Sequence, residues 1–231
     1  MKIAVLTGAG ISAESGIKTF RDADGLWEGH DVIEVATPEG WAKNQTLVQK
    51  FYNERRRQLL TVSPNAAHTA IAHLEETHDV VVITQNVDDL HERAGSSRII
   101  HLHGELRKVR STKNSNLIYD WDKDVTSKDT CQEGSPLRPH IVWFGEAVPA
   151  LEPAINEIRS CEVIIIIGTS MQVYPAASLT SYAGLDVHIY YVDPNPQINF
   201  ELRLASDRLT IIKGKASEEV PRLVKMLNLK S

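Results

Sequence analysis

Four short stretches of this 231-residue chain carry side chains suited to chemistry. Gln85, Asn86 and Asp88 follow directly on the apolar run Val80–Ile83. An asparagine amide both donates and accepts, which suits a ribose hydroxyl or an ordered water, and Asp88 can accept from a carboxamide N–H2. Asn and Asp also favour helix caps, and both roles can hold together. His103 follows the apolar run Ile99–Leu102 and precedes Gly104. A histidine titrates near neutral pH and can take a proton from an alcohol, although a strand-end histidine can equally be a satisfied structural group. Gly8, Gly10 and Ala13 have the spacing G-x-G-x-x-A. That spacing lets backbone approach a pyrophosphate and aims a helix N-terminus at it. Finally, Tyr52 and Arg55 stand three apart on a helical pattern and so share a face. A guanidinium beside a phenol can hold a carboxylate, while the run Arg55-Arg56-Arg57 also fits a solvated helix face.

The elements that must position these groups alternate strand and helix. Apolar runs at Ile3–Leu6, Val80–Ile83, Ile99–Leu102, Ile141–Phe144, Val163–Ile167, Val187–Val192 and Leu209–Ile212 predict strands. Ala67, Ala70, Ile71 and Leu74 make one helix face, and Val220, Leu223, Val224 and Leu227 another. A short helix from Asp88 should stop at Gly95. The alternation predicts a parallel α/β sheet with its crevice at the strands' carboxyl ends, where the Gly8 turn, Gln85, His103 and Gly168 all fall. Two excursions interrupt it. Residues 30–62 read as helical, broken at Thr37-Pro38 with Thr37 as N-cap. Residues 107–138 are polar with little periodicity.

Hydrophobic residues make up 42% and charged residues 24%, an ordinary globular balance. A net charge of −5 argues against nucleic acid and favours a basic peptide as partner. No stretch is apolar enough for a membrane span, and the chain enters a strand with no signal peptide ahead of it. Cys131 and Cys161 cannot make a disulfide framework. A cytoplasmic protein and a monomer are expected.

The motifs G-A-G-I-S-A-E-S-G-I with Phe20-Arg21, T-Q-N-V-D from Thr84, H-L-H-G-E from His101, W-F-G-E from Trp143 and G-T-S from Gly168 together resemble the sirtuin family, in family order and over most of the chain. The resemblance implies an α/β fold: a Rossmann-type parallel sheet domain, residues 1–29, 63–106 and 139–231, with a small second domain formed by two insertions, 30–62 and 107–138. It implies an NAD-dependent protein lysine deacylase acting on acyl-lysine proteins or peptides. His103 would deprotonate a ribose hydroxyl after the acyl oxygen has displaced nicotinamide, giving O-acyl-ADP-ribose, with Asn86 at the reaction centre and His101 supporting. Gly8, Ala9, Gly10, Ser12, Phe20, Arg21, Gln85, Asp88, Gly168, Thr169, Ser170 and Ala216 would line the cofactor, with Gln85 on the nicotinamide ribose and Asp88 on the carboxamide. Asp193 and Asn195 fit either the adenosine ribose or a plain D-P-N-P turn. Val142, Phe144, Gly145 and Glu146 would belong to a substrate loop that takes the peptide as an added strand. Tyr52 and Arg55 resemble the class III pair that accepts succinyl- and malonyl-lysine, and Ala36 would leave the acyl pocket roomy.

One departure stands out. Most sirtuins hold structural zinc with four cysteines in the second insertion, whereas residues 107–138 contain Cys131 alone. No zinc or other metal is therefore expected. Three rival functions are a nicotinamide dehydrogenase, a non-catalytic NAD or acyl-lysine binding module, and a protein ADP-ribosyltransferase. The first needs an acidic residue after a second strand, and Glu34 sits in no strand pattern.

Overall fold

The apolar runs become the strands of one sheet. The structure, a computed structural model, describes residues 1–18, 26–27 and 29–229. In chain order it contains β1 (Lys2–Thr7), α1 (Ala9–Ala13), β2 (Leu26–Trp27), β3 (His30–Asp31), α2 (Val32–Val35), α3 (Pro38–Lys43), α4 (Gln45–Leu59), α5 (Ala66–Leu74), β4 (Asp79–Thr84), α6 (Leu90–Ala94) and β5 (Ile99–His101). There follow β6 (Gly104–Ser111), β7 (Ile118–Asp120), β8 (Leu137–Ile141), α7 (Leu151–Ser160), β9 (Val163–Ile167), β10 (His188–Asp193), α8 (Phe200–Leu204), β11 (Leu209–Lys213) and α9 (Ala216–Asn228). Six strands pair in parallel in the order β11-β10-β9-β1-β4-β5, a Rossmann-like arrangement.

Alternate residues of the central strands feed two cores. Ile3, Val5, Val82 and Ile165 face α5 and α9, while Leu6, Ile83, Ile164 and Ile166 face α7 and α8. Every residue of β9 is buried, as a strand covered on both sides must be. Each such side chain contributes about 1.5–3 kcal/mol by leaving water. Gly95 ends α6 in the left-handed region at φ 105°, and Thr37 caps α3 by accepting from Gly40 N–H at 3.0 Å. Among the described residues no helix is long and apolar enough to cross a membrane.

Two local expectations are corrected. The strand expected at Ile141–Phe144 ends at Ile141, because β8 belongs to a separate antiparallel sheet in the order β7-β6-β8. The long β6, which begins before the polar excursion and runs into it, was not foreseen. Its inward residues, Leu106, Val109 and Ser111, alternate with charged ones that mask the apolar signal.

Packing and backbone bonds hold this second sheet. Val109, Val125, Cys131 and Leu137 form a small core with Leu117, Tyr119 and Trp121 against it. Helix α4 fastens it from the side. The Asn53 amide donates to Val125 O at 2.9 Å and accepts from Val125 N–H at 2.8 Å. Arg56, 1% exposed, donates to Leu106 O at 2.9 Å and to Asn53 Oδ1 at 2.8 Å. Gln49 donates to Leu137 O at 2.7 Å. The two excursions therefore pack as one unit. A tetrahedral zinc site takes four ligands. Cys131 is the cysteine of this region, and the convergent group of metal-capable donors found among the described residues, Glu92, His101 and Glu105, lies elsewhere. In that group Glu92 already pairs with His101 and Glu105 with Lys108.

Candidate active site

The first strand-turn-helix packs backbone directly on backbone. Gly10 N–H donates to Gly168 O at 2.8 Å, and Gly8 N–H to Ile167 O at 3.0 Å. A Cβ on Gly10 would lie 2.7 Å from Gly168 Cα, and Gly168 itself has φ 61°, so both positions require glycine. At this helix N-terminus the N–H groups of Gly8 and Gly10 are engaged within the protein. Helix α1 is little more than one turn, and the N–H groups of both glycines are spent on the neighbouring strand and its turn.

The end of β4 supplies a buried network. Asn86 donates through Nδ2 to Gly8 O and to Ser12 Oγ, each at 3.2 Å, and Ser12 Oγ donates to Asp88 Oδ2 at 2.9 Å. Asp88 also accepts from Leu90 N–H at 3.2 Å, the capping role open to it in the sequence. Burial pushes the Asp88 carboxyl up to about 6, against the bonds from Ser12 and Leu90. Gln85 donates to Thr169 Oγ1 at 3.0 Å and so joins the end of β4 to the Gly168 turn. Beneath them Thr7 donates to Thr84 Oγ1 at 2.8 Å and lies 3.1 Å from His91 Nε2. Nothing in the sequence marked Thr7 or His91, and Thr84 entered only as the first residue of its motif.

His103 Nδ1 lies 3.0 Å from Gln85 O, a carbonyl that can only accept. Nδ1 therefore carries the proton, and Nε2 keeps its lone pair. Burial lowers the His103 pKa from its ordinary value, partly offset by that bond. His101 moves the other way. Burial alone would lower it, but Glu92, 2.6 Å from Nε2, favours the imidazolium and raises its pKa. Two histidines two residues apart thus have their pKa values pushed in opposite directions, which suits His103 for accepting a proton and His101 for pairing with Glu92.

Tyr52 and Arg55 line one cleft together with Ile17, Trp27, Val87 and Asp88. The run of three arginines splits. Arg55 is mostly buried, Arg56 is fully buried under β6, and Arg57 pairs with Asp124 in solvent. Arg55 stacks 4.7 Å over Phe51, and its Nε and Nη1 are buried with no hydrogen-bond partner among the described residues. The segment after β8 is pinned by Val142 N–H to His103 O and by Phe144 N–H to Ala36 O, both 2.9 Å. Phe144 and Gly145 are exposed, and Ala36 is buried beside Tyr52. Glu146 accepts from Arg138 at 2.7 Å, Arg110 at 3.1 Å and Trp143 N–H at 2.9 Å, so its carboxylate is engaged within the protein.

At the far end Asp193 is buried and accepts from Asn195 N–H at 2.8 Å, which is the turn geometry. Thr169 is buried, Ser170 is partly so, and Ala216 is buried at the start of α9. Ala9 opens α1. Phe20 and Arg21 lie outside the described residues.

Known proteins resemble this chain in sequence and fold. The Sir2 family profile matches residues 8–175. An NAD-dependent protein deacylase of Helicobacter pylori strain 26695 is 64% identical over 192 residues, 83% of this chain and 84% of that protein. One of Bacteroides thetaiotaomicron is 48% identical over 97% of each chain. The crystal structure of a Sir2 homolog–NAD complex superposes with a TM-score of 0.87 at 41% identity, covering 99% of this chain and 90% of that one. On these matches the chain belongs to the Sir2 family.

Proposed function

We propose that this protein is an NAD-dependent protein lysine deacylase that removes acetyl groups and the acidic succinyl and malonyl groups. The relatives' deacylase activity and the Sir2 homolog's NAD complex support the general reaction. In it the acyl oxygen takes C1′ of the nicotinamide ribose and nicotinamide leaves with the bonding electrons. His103 Nε2 then accepts the proton of a ribose hydroxyl, and that oxygen bonds to the acyl carbon; the proton returns to the lysine nitrogen, the C–N bond breaks to free lysine, and a water adds to the acyl carbon to leave O-acyl-ADP-ribose. The lone pair left on Nε2 by the Gln85 carbonyl suits that step. Asn86 keeps its Oδ1 for a ribose or a water, since Nδ2 is spent on Gly8 and Ser12. Asp88 borders the cleft, where it can accept from a carboxamide.

The observation that carries the acidic-acyl reading is Arg55. A guanidinium whose Nη2 lies 3.6 Å from Glu54, and whose Nε and Nη1 are buried with no hydrogen-bond partner among the described residues, lines a cleft beside a tyrosine. Leaving a buried charged donor unmatched is costly, and an entering carboxylate supplies the match. The test is a side-by-side assay of acetyl-, succinyl- and malonyl-lysine peptides with NAD, on wild type and Arg55→Met. A charge-assisted bond is worth about 1.5–3 kcal/mol, so succinyl kcat/KM should fall on the order of 10- to 150-fold with acetyl nearly unmoved. Equal loss on all three substrates would assign Arg55 to holding the helix in place and refute the reading.

A further inference from the structure

Tyr52 is 0% exposed, and its hydroxyl oxygen accepts the indole N–H of Trp143 at 3.0 Å. An indole N–H donates only. The phenol therefore cannot give its own hydrogen to Trp143. Arg138, which acts on the same hydroxyl electrostatically, is also a pure donor. The carboxylate acting on it, Glu146, has its oxygens taken by Arg138, Arg110 and the Trp143 backbone N–H. Among the described residues the Tyr52 hydroxyl donates no hydrogen bond, so its hydrogen is left for an acceptor arriving in the cleft.

Trp143 is itself held rigidly. Its backbone N–H is bonded to Glu146 at 2.9 Å, the Arg138 guanidinium lies 3.3 Å over its ring, and Trp41 packs at 5.6 Å. Arg138 is in turn gripped by Glu146 at 2.7 and 3.1 Å. At 2% exposure Trp143 stands behind Tyr52.

From this geometry we infer that Trp143 is a positioning residue for acyl selectivity: its indole N–H commits the Tyr52 hydroxyl to donating, so that Tyr52 favours an acyl chain ending in a carboxylate over one ending in a methyl. The inference rests on the acidic-acyl reading of Tyr52 and Arg55. It extends that reading to a residue with no access to the acyl terminus. Burial raises the Tyr52 pKa well above its ordinary value, so the donated proton is present throughout the working pH range.

The experiment compares kcat/KM on succinyl- and acetyl-lysine peptides of one sequence for wild type, Arg55→Met, Tyr52→Phe, Trp143→Phe and the double variant Tyr52→Phe/Trp143→Phe. The succinyl-to-acetyl ratio should fall about threefold to tenfold in Trp143→Phe, the range of one neutral hydrogen bond. In the Tyr52→Phe background the same change should leave the ratio where it was. An unchanged ratio in Trp143→Phe while Arg55→Met lowers it overturns the inference alone. So does a fall that multiplies with that of Tyr52→Phe. A ratio unmoved by Arg55→Met and Tyr52→Phe overturns the acidic-acyl reading and the inference with it. A readout that leaves Trp143 in place is the 15N-labelled tryptophan spectrum of the full chain. Tyr52→Phe should shift the Trp143 indole N–H signal and speed its exchange with solvent. An indole signal indifferent to Tyr52→Phe would overturn the inference without any substitution of Trp143.

Discussion

Asp88→Asn should make the protein more stable while making it a poorer enzyme. Asp88 is 8% exposed, and burial raises its pKa from the ordinary 3.8 to about 6. The folded state thus holds this proton more tightly than the unfolded chain. The favourable contribution is complete below pH 3.8 and is lost as the pH rises through about 6. At neutral pH the shift corresponds to about 3 kcal/mol of stability forgone. Asparagine cannot ionise and escapes that loss. It also keeps a carbonyl oxygen for Ser12 or Leu90, the present donors to Asp88. For a chain of this size about 3 kcal/mol raises Tm by roughly 6–12 °C. Scanning calorimetry of both proteins from pH 4.5 to 8 should show a Tm gap that is widest at pH 8 and narrows towards pH 4.5. A constant gap, or a variant less stable than wild type at pH 8, would refute the reasoning. Turnover with NAD should fall at pH 8, since the carboxylate that borders the cleft is gone.

His103→Ala should lower deacylation about 10²- to 10⁴-fold, the usual loss on removing a general base, with NAD binding retained by calorimetric titration. Near wild-type turnover would remove His103 from that role. Elemental analysis of the purified protein should find no stoichiometric zinc, and chelators should leave Tm and activity unchanged. Asn53→Ala should instead destabilise by about 2–3 kcal/mol in urea unfolding, because it strands both the N–H and the carbonyl of buried Val125.

The sheet was readable because its strands are continuous apolar runs and its helices carry one apolar face. Punctuation was readable too: Thr37 caps and Gly95 stops where expected, since each acts on its own backbone neighbours. Long-range partners were not. Three consecutive arginines look alike in sequence, yet successive helix positions turn by about 100°, so Arg55, Arg56 and Arg57 meet a cleft, a strand and solvent. Glu146 was expected in a substrate loop, and the structure shows its carboxylate bonded within the protein. Its engagement by Arg110 and Arg138 depends on β6 and β8 lying side by side, which the charged alternation of β6 concealed. The glycine turn was legible, but what its N–H groups bind depends on β9 and its turn, more than 150 residues away.

Helix α4 presents two working faces offset by a single residue. Tyr52 and Arg55 look onto the cleft, while Asn53 and Arg56 clasp the second sheet. Inserting one residue upstream of Tyr52 within this helix would rotate everything beyond it by about 100° and carry Tyr52 and Arg55 onto the sheet-facing positions, while deleting one would carry Asn53 and Arg56 onto the cleft-facing ones. Specificity and architecture would then fail in the same step. Length variation should therefore fall in the connections on either side of α4, and, on the acidic-acyl reading proposed above, point substitution is the route that changes acyl preference without loosening the second sheet.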